Sequence, residues 1–134
     1  LRIFASSTQV LADAPGYEAW INYQADHQRL LDLIDFADVN GLIMISGDTH
    51  YAELSRLAEG VPYPLYDLTS SGLTEVWHLL GPNRLRVGEG FMGQNYGRIL
   101  VDWDQRDPEI QLEVESVEGR TVIAETLRLS ALQP

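Results

Sequence analysis

Leu42-Ile43-Met44-Ile45 is apolar at every position. A strand with one wet face alternates, so a strand with no polar position needs cover on both sides, as in the interior of a parallel sheet. The run stops at Ser46-Gly47, and Asp48, Thr49, His50 and Tyr51 follow at once. A glycine lets the backbone turn sharply there. In open α/β sheets, ligands gather beyond the carboxyl ends of the strands, which is where Asp48 and His50 fall. A carboxylate and an imidazole two residues apart suit Zn, Mn or Fe, and the carboxylate alone suits Ca or Mg. Two ligands do not complete a catalytic metal centre. The same residues also fit an ordinary loop in which Asp48 forms an Asx-turn and His50 faces solvent.

The flanks support a strand–helix–strand unit. Leu1 to Ser6 reads as a short strand, and residues 7 to about 22 form a long irregular stretch around Pro15-Gly16. Loops of that length in a small domain are often functional. Tyr17, Trp20 and Tyr23 are expected to pin it to the body. From about Tyr23 to Asp38 the spacing predicts a helix capped by Asn22. Tyr23, His27, Leu30, Leu31, Ile34 and Ala37 share its apolar face, and Asp26, Arg29, Asp32 and Asp35 lie opposite. His27 is read as a packed helix residue rather than a ligand. Asn40-Gly41 marks the end of the helix.

Ala52 to Glu59 contains good helix formers, yet Gly60-Val61-Pro62 leads into strand-like Tyr63 to Thr69. A hairpin across Gly60 to Pro62 accommodates both halves. Ser70-Ser71-Gly72 is read as a set of turn formers, because no Gly-x-Ser-x-Gly elbow surrounds the serines. Gly88, Gly90 and Gly93 suggest a loose connector. Strands follow at Arg98 to Trp103, at Ile110 to Glu115 with strict alternation, and at Thr121 to Leu129. The fold class is therefore α/β in its first part and α+β as a whole: one βαβ unit followed by antiparallel strands.

Composition narrows the chemistry. With 134 residues there is material for one core. With no cysteine, thiolate metal sites and disulfides are excluded. All nine basic residues are arginines, scattered along a chain of net charge -11, so no nucleic-acid footprint is visible. A metal-dependent nuclease is disfavoured for that reason. An acidic surface repels phosphate esters unless bound cations reverse the local field. No apolar stretch is long enough to cross a bilayer. The chain begins without Met inside a strand-like run and is expected to be part of a longer protein.

Several blocks together resemble a known family. They are Trp20 with Gln28-Arg29-Leu30-Leu31, then Ser46-Gly47-Asp48-Thr49-His50-Tyr51-Ala52-Glu53-Leu54, then Tyr63 to Thr74 with its Thr69-Ser70-Ser71-Gly72-Leu73-Thr74 segment, and finally Asn95-Tyr96-Gly97 before Asp102-Trp103. This order resembles the alkaline phosphatase D (PhoD-like) family of calcineurin-like metallophosphoesterases. The resemblance implies a sandwich of two mixed sheets flanked by helices, a phosphomonoesterase or phosphodiesterase activity on a phosphate ester substrate, and a multi-metal site holding Fe, Ca, Zn or Mn. It implies that Asp48 and His50 are metal ligands and that Tyr51 supports them. It implies a location beyond the cytoplasm, periplasmic or extracellular. The family's other metal-binding blocks lie in an N-terminal half that has no counterpart in residues 1–134, and Ser6-Ser7 stand where related enzymes often carry a His. The chain is expected to be the C-terminal segment of such a domain, with the missing half as its first partner. The competing expectation is a non-catalytic α+β binding or assembly domain that keeps the fold.

Overall fold

A computed structural model describes every residue from Leu1 to Pro134. The all-apolar run forms β2 (Leu42–Ser46), and it lies between two parallel neighbours. On one side is β1 (Arg2–Ala5), with Ile3 opposite Ile43 and Ala5 opposite Ile45. On the other is β4 (Leu65–Ser70), with Ile45 opposite Leu68. Ile43 and Met44 are fully buried, as a strand covered on both faces requires. Helix α1 (Gln24–Phe36) connects β1 to β2 and completes the expected βαβ unit.

The ambiguous stretch is a hairpin. β3 (Ala52–Leu57) pairs antiparallel with β4, and Gly60 turns the connection at a φ of +70°. The sheet order is therefore β1-β2-β4-β3. The second sheet is a meander of β5 (Asn95–Asp102), β6 (Glu109–Ser116) and β7 (Thr121–Arg128). It is purely antiparallel, whereas the family resemblance implied two mixed sheets. Ile110, Leu112 and Val114 are buried on alternate positions of β6, as their period-two spacing demands. One core of 18 buried residues takes side chains from both sheets, among them Ile43, Leu54, Leu68, Ile110, Leu112 and Ile123. The sheets meet where β5 crosses β4. A Cβ on Gly97 would lie 3.1 Å from Ser70 Cβ, and Ser70 Oγ donates to Asn95 Oδ1 at 2.8 Å.

The helix differs from the expectation at both ends. Tyr23 occupies the N-cap position and no side chain caps the helix. A 3-10 turn at Trp20–Tyr23 precedes it and draws the chain past Asn22, whose side-chain amide donates instead to the Tyr17 carbonyl at 2.8 Å. The helix stops at Phe36, and Asp38 rather than Gly41 takes the first left-handed conformation, at a φ of +47°. Only Ile34 is buried. Tyr23, expected on the packed face, is 63% exposed, and Phe36 is 88% exposed. Trp20 does anchor the irregular stretch: its ring meets Phe4 edge-on at 5.9 Å and its Nε1 donates to Ser6 Oγ at 2.9 Å.

The glycine-bearing connector is not loose. Arg56 N donates to Leu85 O, Val87 N to Leu54 O, and Ala52 and Phe91 exchange both main-chain bonds, all at 2.8 or 2.9 Å. The segment thus occupies the outer edge of β3, which would otherwise present unpaired amides and carbonyls. A second close approach lies next to it. A Cβ on Gly81 would fall 2.3 Å from the Pro15 carbonyl oxygen and 3.1 Å from its Cα. Gly81→Ala is therefore expected to cost about 1–3 kcal/mol, because backbone and not a flexible side chain must retreat. Urea unfolding measures this directly, and a loss below about 0.5 kcal/mol would show that the two loops do not touch as described.

Candidate metal centre

The loop after β2 makes its turn at residues other than the expected one. Gly47 has no left-handed backbone, and a Cβ there would make only ordinary contacts, the nearest at 3.5 Å from Ser71 Cβ. Asp48 and His50 bend the chain instead, at φ values of +68° and +58°. Left-handed backbone is uncommon without glycine, and Asp, Asn and His tolerate it best. Such residues persist only where their surroundings over-determine them, and they concentrate at functional sites.

Ser71 provides that constraint. Its Oγ accepts from the amides of Thr49 at 3.0 Å and His50 at 2.9 Å and lies 3.3 Å from the Tyr51 carbonyl, to which it donates. Trp77 N donates to the His50 carbonyl at 2.9 Å. Ser71 was legible in the sequence as a turn former, but the turn it forms belongs to a different segment. The His50 amide is also the group that an Asx-turn from Asp48 would use, two residues on. Ser71 takes it, so the plain-loop reading with an Asx-turn is not what the chain adopts.

The two candidate ligands sit differently. Asp48 is exposed on the loop surface. His50 is half-buried, its ring stacked on Trp77 with centroids 5.3 Å apart and planes 17° from parallel. Its Nδ1 is inaccessible and has no hydrogen-bond partner; the nearest charged group is Glu75 Oε2 at 4.0 Å. Tyr17 meets Trp77 edge-on, with ring centroids 5.0 Å apart. Tyr51, expected to support the ligands, points elsewhere. Its side chain is fully buried and its hydroxyl reaches Gln9 Oε1 at 3.4 Å. Burial, reinforced by the Glu53 carboxylate, pushes the phenol up to about 12. It therefore stays neutral, and it serves the loop through its carbonyl.

A buried polar network, which the sequence did not reveal, lies beneath the loop. Ser46, at the root of the turn, donates to Asp67 Oδ1 at 2.7 Å and shares a hydrogen bond with Thr69 Oγ1 at 2.8 Å. Asp67 Oδ2 accepts from the Val10 and Leu11 amides at 2.7 and 3.1 Å. Gln9 bridges Thr69 to Glu53, and Glu53 in turn takes Asn83 and the Arg86 Nε, the last at 2.5 Å. The irregular stretch and the 81–87 segment are thereby tied to one face of the sheet, below the candidate ligands. Beside the loop, an open cleft of about 510 Å³ runs between Ser6, Ser46 and Gly47 on one wall and Gly97 and Ile99 on the other.

As a donor set, an exposed carboxylate and an imidazole whose inaccessible nitrogen lacks a partner fit a borderline divalent cation in kind. They do not fit in number. No group of three or more His, Cys, Asp and Glu side chains is brought together anywhere in the chain. No protein-family model and no curated protein matches this chain.

Proposed function

We propose that the chain carries two ligands, Asp48 and His50, of a metal-dependent phosphoric ester hydrolase of the alkaline phosphatase D type. The observation that carries this reading is the loop itself. Two metal-capable side chains stand past the carboxyl end of a central parallel strand, on backbone held in a costly left-handed form by Ser71. Divalent or mixed metals, with Fe, Ca, Zn and Mn the candidates, supply Lewis-acid polarisation of the phosphoryl group when bound. Asp48 contributes the charge, and His50 contributes the solvent-facing Nε2, since Nδ1 is shielded. The remaining ligands come from outside residues 1–134. The acidic surface makes cation binding a precondition for approach of a phosphate ester.

Titration of the chain with Mn and Zn tests this. His50→Ala and Asp48→Ala are each expected to weaken binding tenfold or more, and anomalous scattering after a soak is expected to place the ion against both residues. Equal affinity in all three proteins would overturn the reading. It would leave the second one, a non-catalytic α+β binding or assembly domain.

A further inference from the structure

We infer that Glu75 is the positioning residue for His50: its carboxylate accepts a hydrogen bond from Nδ1–H, which keeps the proton on Nδ1 and leaves the Nε2 lone pair free to coordinate. This rests on His50 being a ligand, as proposed above.

A neutral imidazole carries one proton, and which nitrogen holds it depends on the partner the other nitrogen finds. A metal-binding histidine needs its coordinating nitrogen unprotonated, and the opposite N–H is usually donated to a carboxylate or carbonyl. In this chain the outward nitrogen is Nε2, so Nδ1 must hold the proton. Nδ1 is inaccessible to water and unpaired. An unpaired buried donor costs about 1–3 kcal/mol, so an acceptor within reach will be used.

Glu75 is the acceptor in reach. Its Oε2 stands 4.0 Å from Nδ1, and its side chain is 72% exposed, free to change rotamer and close the gap. The backbone around it is already attached to the target. The Trp77 amide donates to the His50 carbonyl, and the Trp77 ring stacks on the imidazole. The stack sets the plane of the ring, and the carboxylate selects the tautomer within that plane. Glu75 therefore touches neither metal nor substrate. It acts through His50.

The test reads the tautomer first, in metal-free protein labelled with 15N, at a pH where His50 is neutral. The wild-type chain is expected to show the proton on Nδ1. Glu75→Ala is expected to move it largely to Nε2, the form an unsupported imidazole prefers, while Glu75→Gln, which keeps an acceptor oxygen, retains Nδ1–H. In Zn titration, Glu75→Ala is expected to lose 10- to 100-fold in affinity, with Glu75→Gln between it and wild type. A wild-type His50 protonated on Nε2, or a Glu75→Ala spectrum unchanged from wild type, would overturn the inference even if His50 binds metal. If His50→Ala leaves Zn affinity untouched, the ligand assignment fails instead, and the two failures are distinguished.

Discussion

Replacing Arg86 by alanine is expected to destabilise the chain by about 3–5 kcal/mol, the usual penalty for stripping one partner from a buried ion pair. Glu53 has no exposed surface, and the Arg86 side chain is 19% exposed. The guanidinium also donates to the Gly81 carbonyl at 2.6 Å. Without it the Glu53 carboxylate keeps Gln9 and Asn83 as hydrogen-bond donors but loses its only counter-charge. The cost reflects an uncompensated charge more than a lost attraction, so removing the charge as well should recover most of it. The Glu53→Gln/Arg86→Met double variant is expected to lie within about 2 kcal/mol of wild type. Equilibrium unfolding of Glu53→Gln, Arg86→Met and the double variant closes the cycle, with Arg86→Ala measured beside it. A loss below about 1 kcal/mol for Arg86→Ala would mean that water reaches the pair.

Asp67→Ala should cost a similar amount, about 3–5 kcal/mol, for a different reason. Three donors converge on that carboxylate: the Val10 and Leu11 amides and the Ser46 hydroxyl. Alanine leaves the two amides unpaired in a dry interior, at about 1–3 kcal/mol each before relaxation, and leaves the Ser46 hydroxyl only Thr69 Oγ1 as a partner. Asp67→Asn is expected to cost less than about 1 kcal/mol. Its amide oxygen can face the two backbone N–H groups, and its NH2 can donate to Ser46, which still has Thr69 Oγ1 to donate to. The pair also carries a pH signature. Burial pushes the Asp67 carboxyl above its ordinary 3.8, and the neighbouring Glu53 adds to the rise; the hydrogen bonds from Ser46, Leu11 and Val10 oppose it without cancelling it. A carboxyl raised in the folded state favours folding fully below its unfolded value, and that contribution is lost as pH climbs through the folded value. The stability of wild type relative to Asp67→Asn should therefore fall as pH rises from about 4. A wild type that gains on Asp67→Asn over that window would contradict the burial assigned here.

Local pattern carried much of the fold. Leu42 to Ile45 has no polar position and can only be an interior strand. The alternation at Ile110, Leu112 and Val114 specifies a half-buried one. Gly60-Val61-Pro62 outweighed the helix formers before it because a chain reversal there lets two strands pair. The misses share a cause. Whether Asn22 caps a helix depends on where the 3-10 turn before it sends the chain. Whether Gly88 to Gly93 is loose depends on an edge strand distant in sequence. Glu53, Ser55, Asp67 and Thr69 alternate with apolar neighbours and so resemble a wet face, yet all four are buried. The irregular stretch from Gln9 lies over them, and its coverage has no periodicity to read. The candidate ligands were legible because strand end and donor residues adjoin in sequence. Ser71, which holds their loop, and Glu75, which faces the imidazole, were not, because their roles exist only once β4 lies beside β2.

The connector from Leu85 to Phe91 occupies one margin of the four-stranded sheet, and this makes the ribbon one-sided. Strand addition can proceed only at β1, where Ile3 is 46% exposed. Polypeptide laid along Arg2–Ala5 must enter or leave beside Ser6-Ser7, on the same rim as the Asp48–His50 turn. Any extension of this sheet thus delivers one of its ends to the neighbourhood of the two candidate ligands.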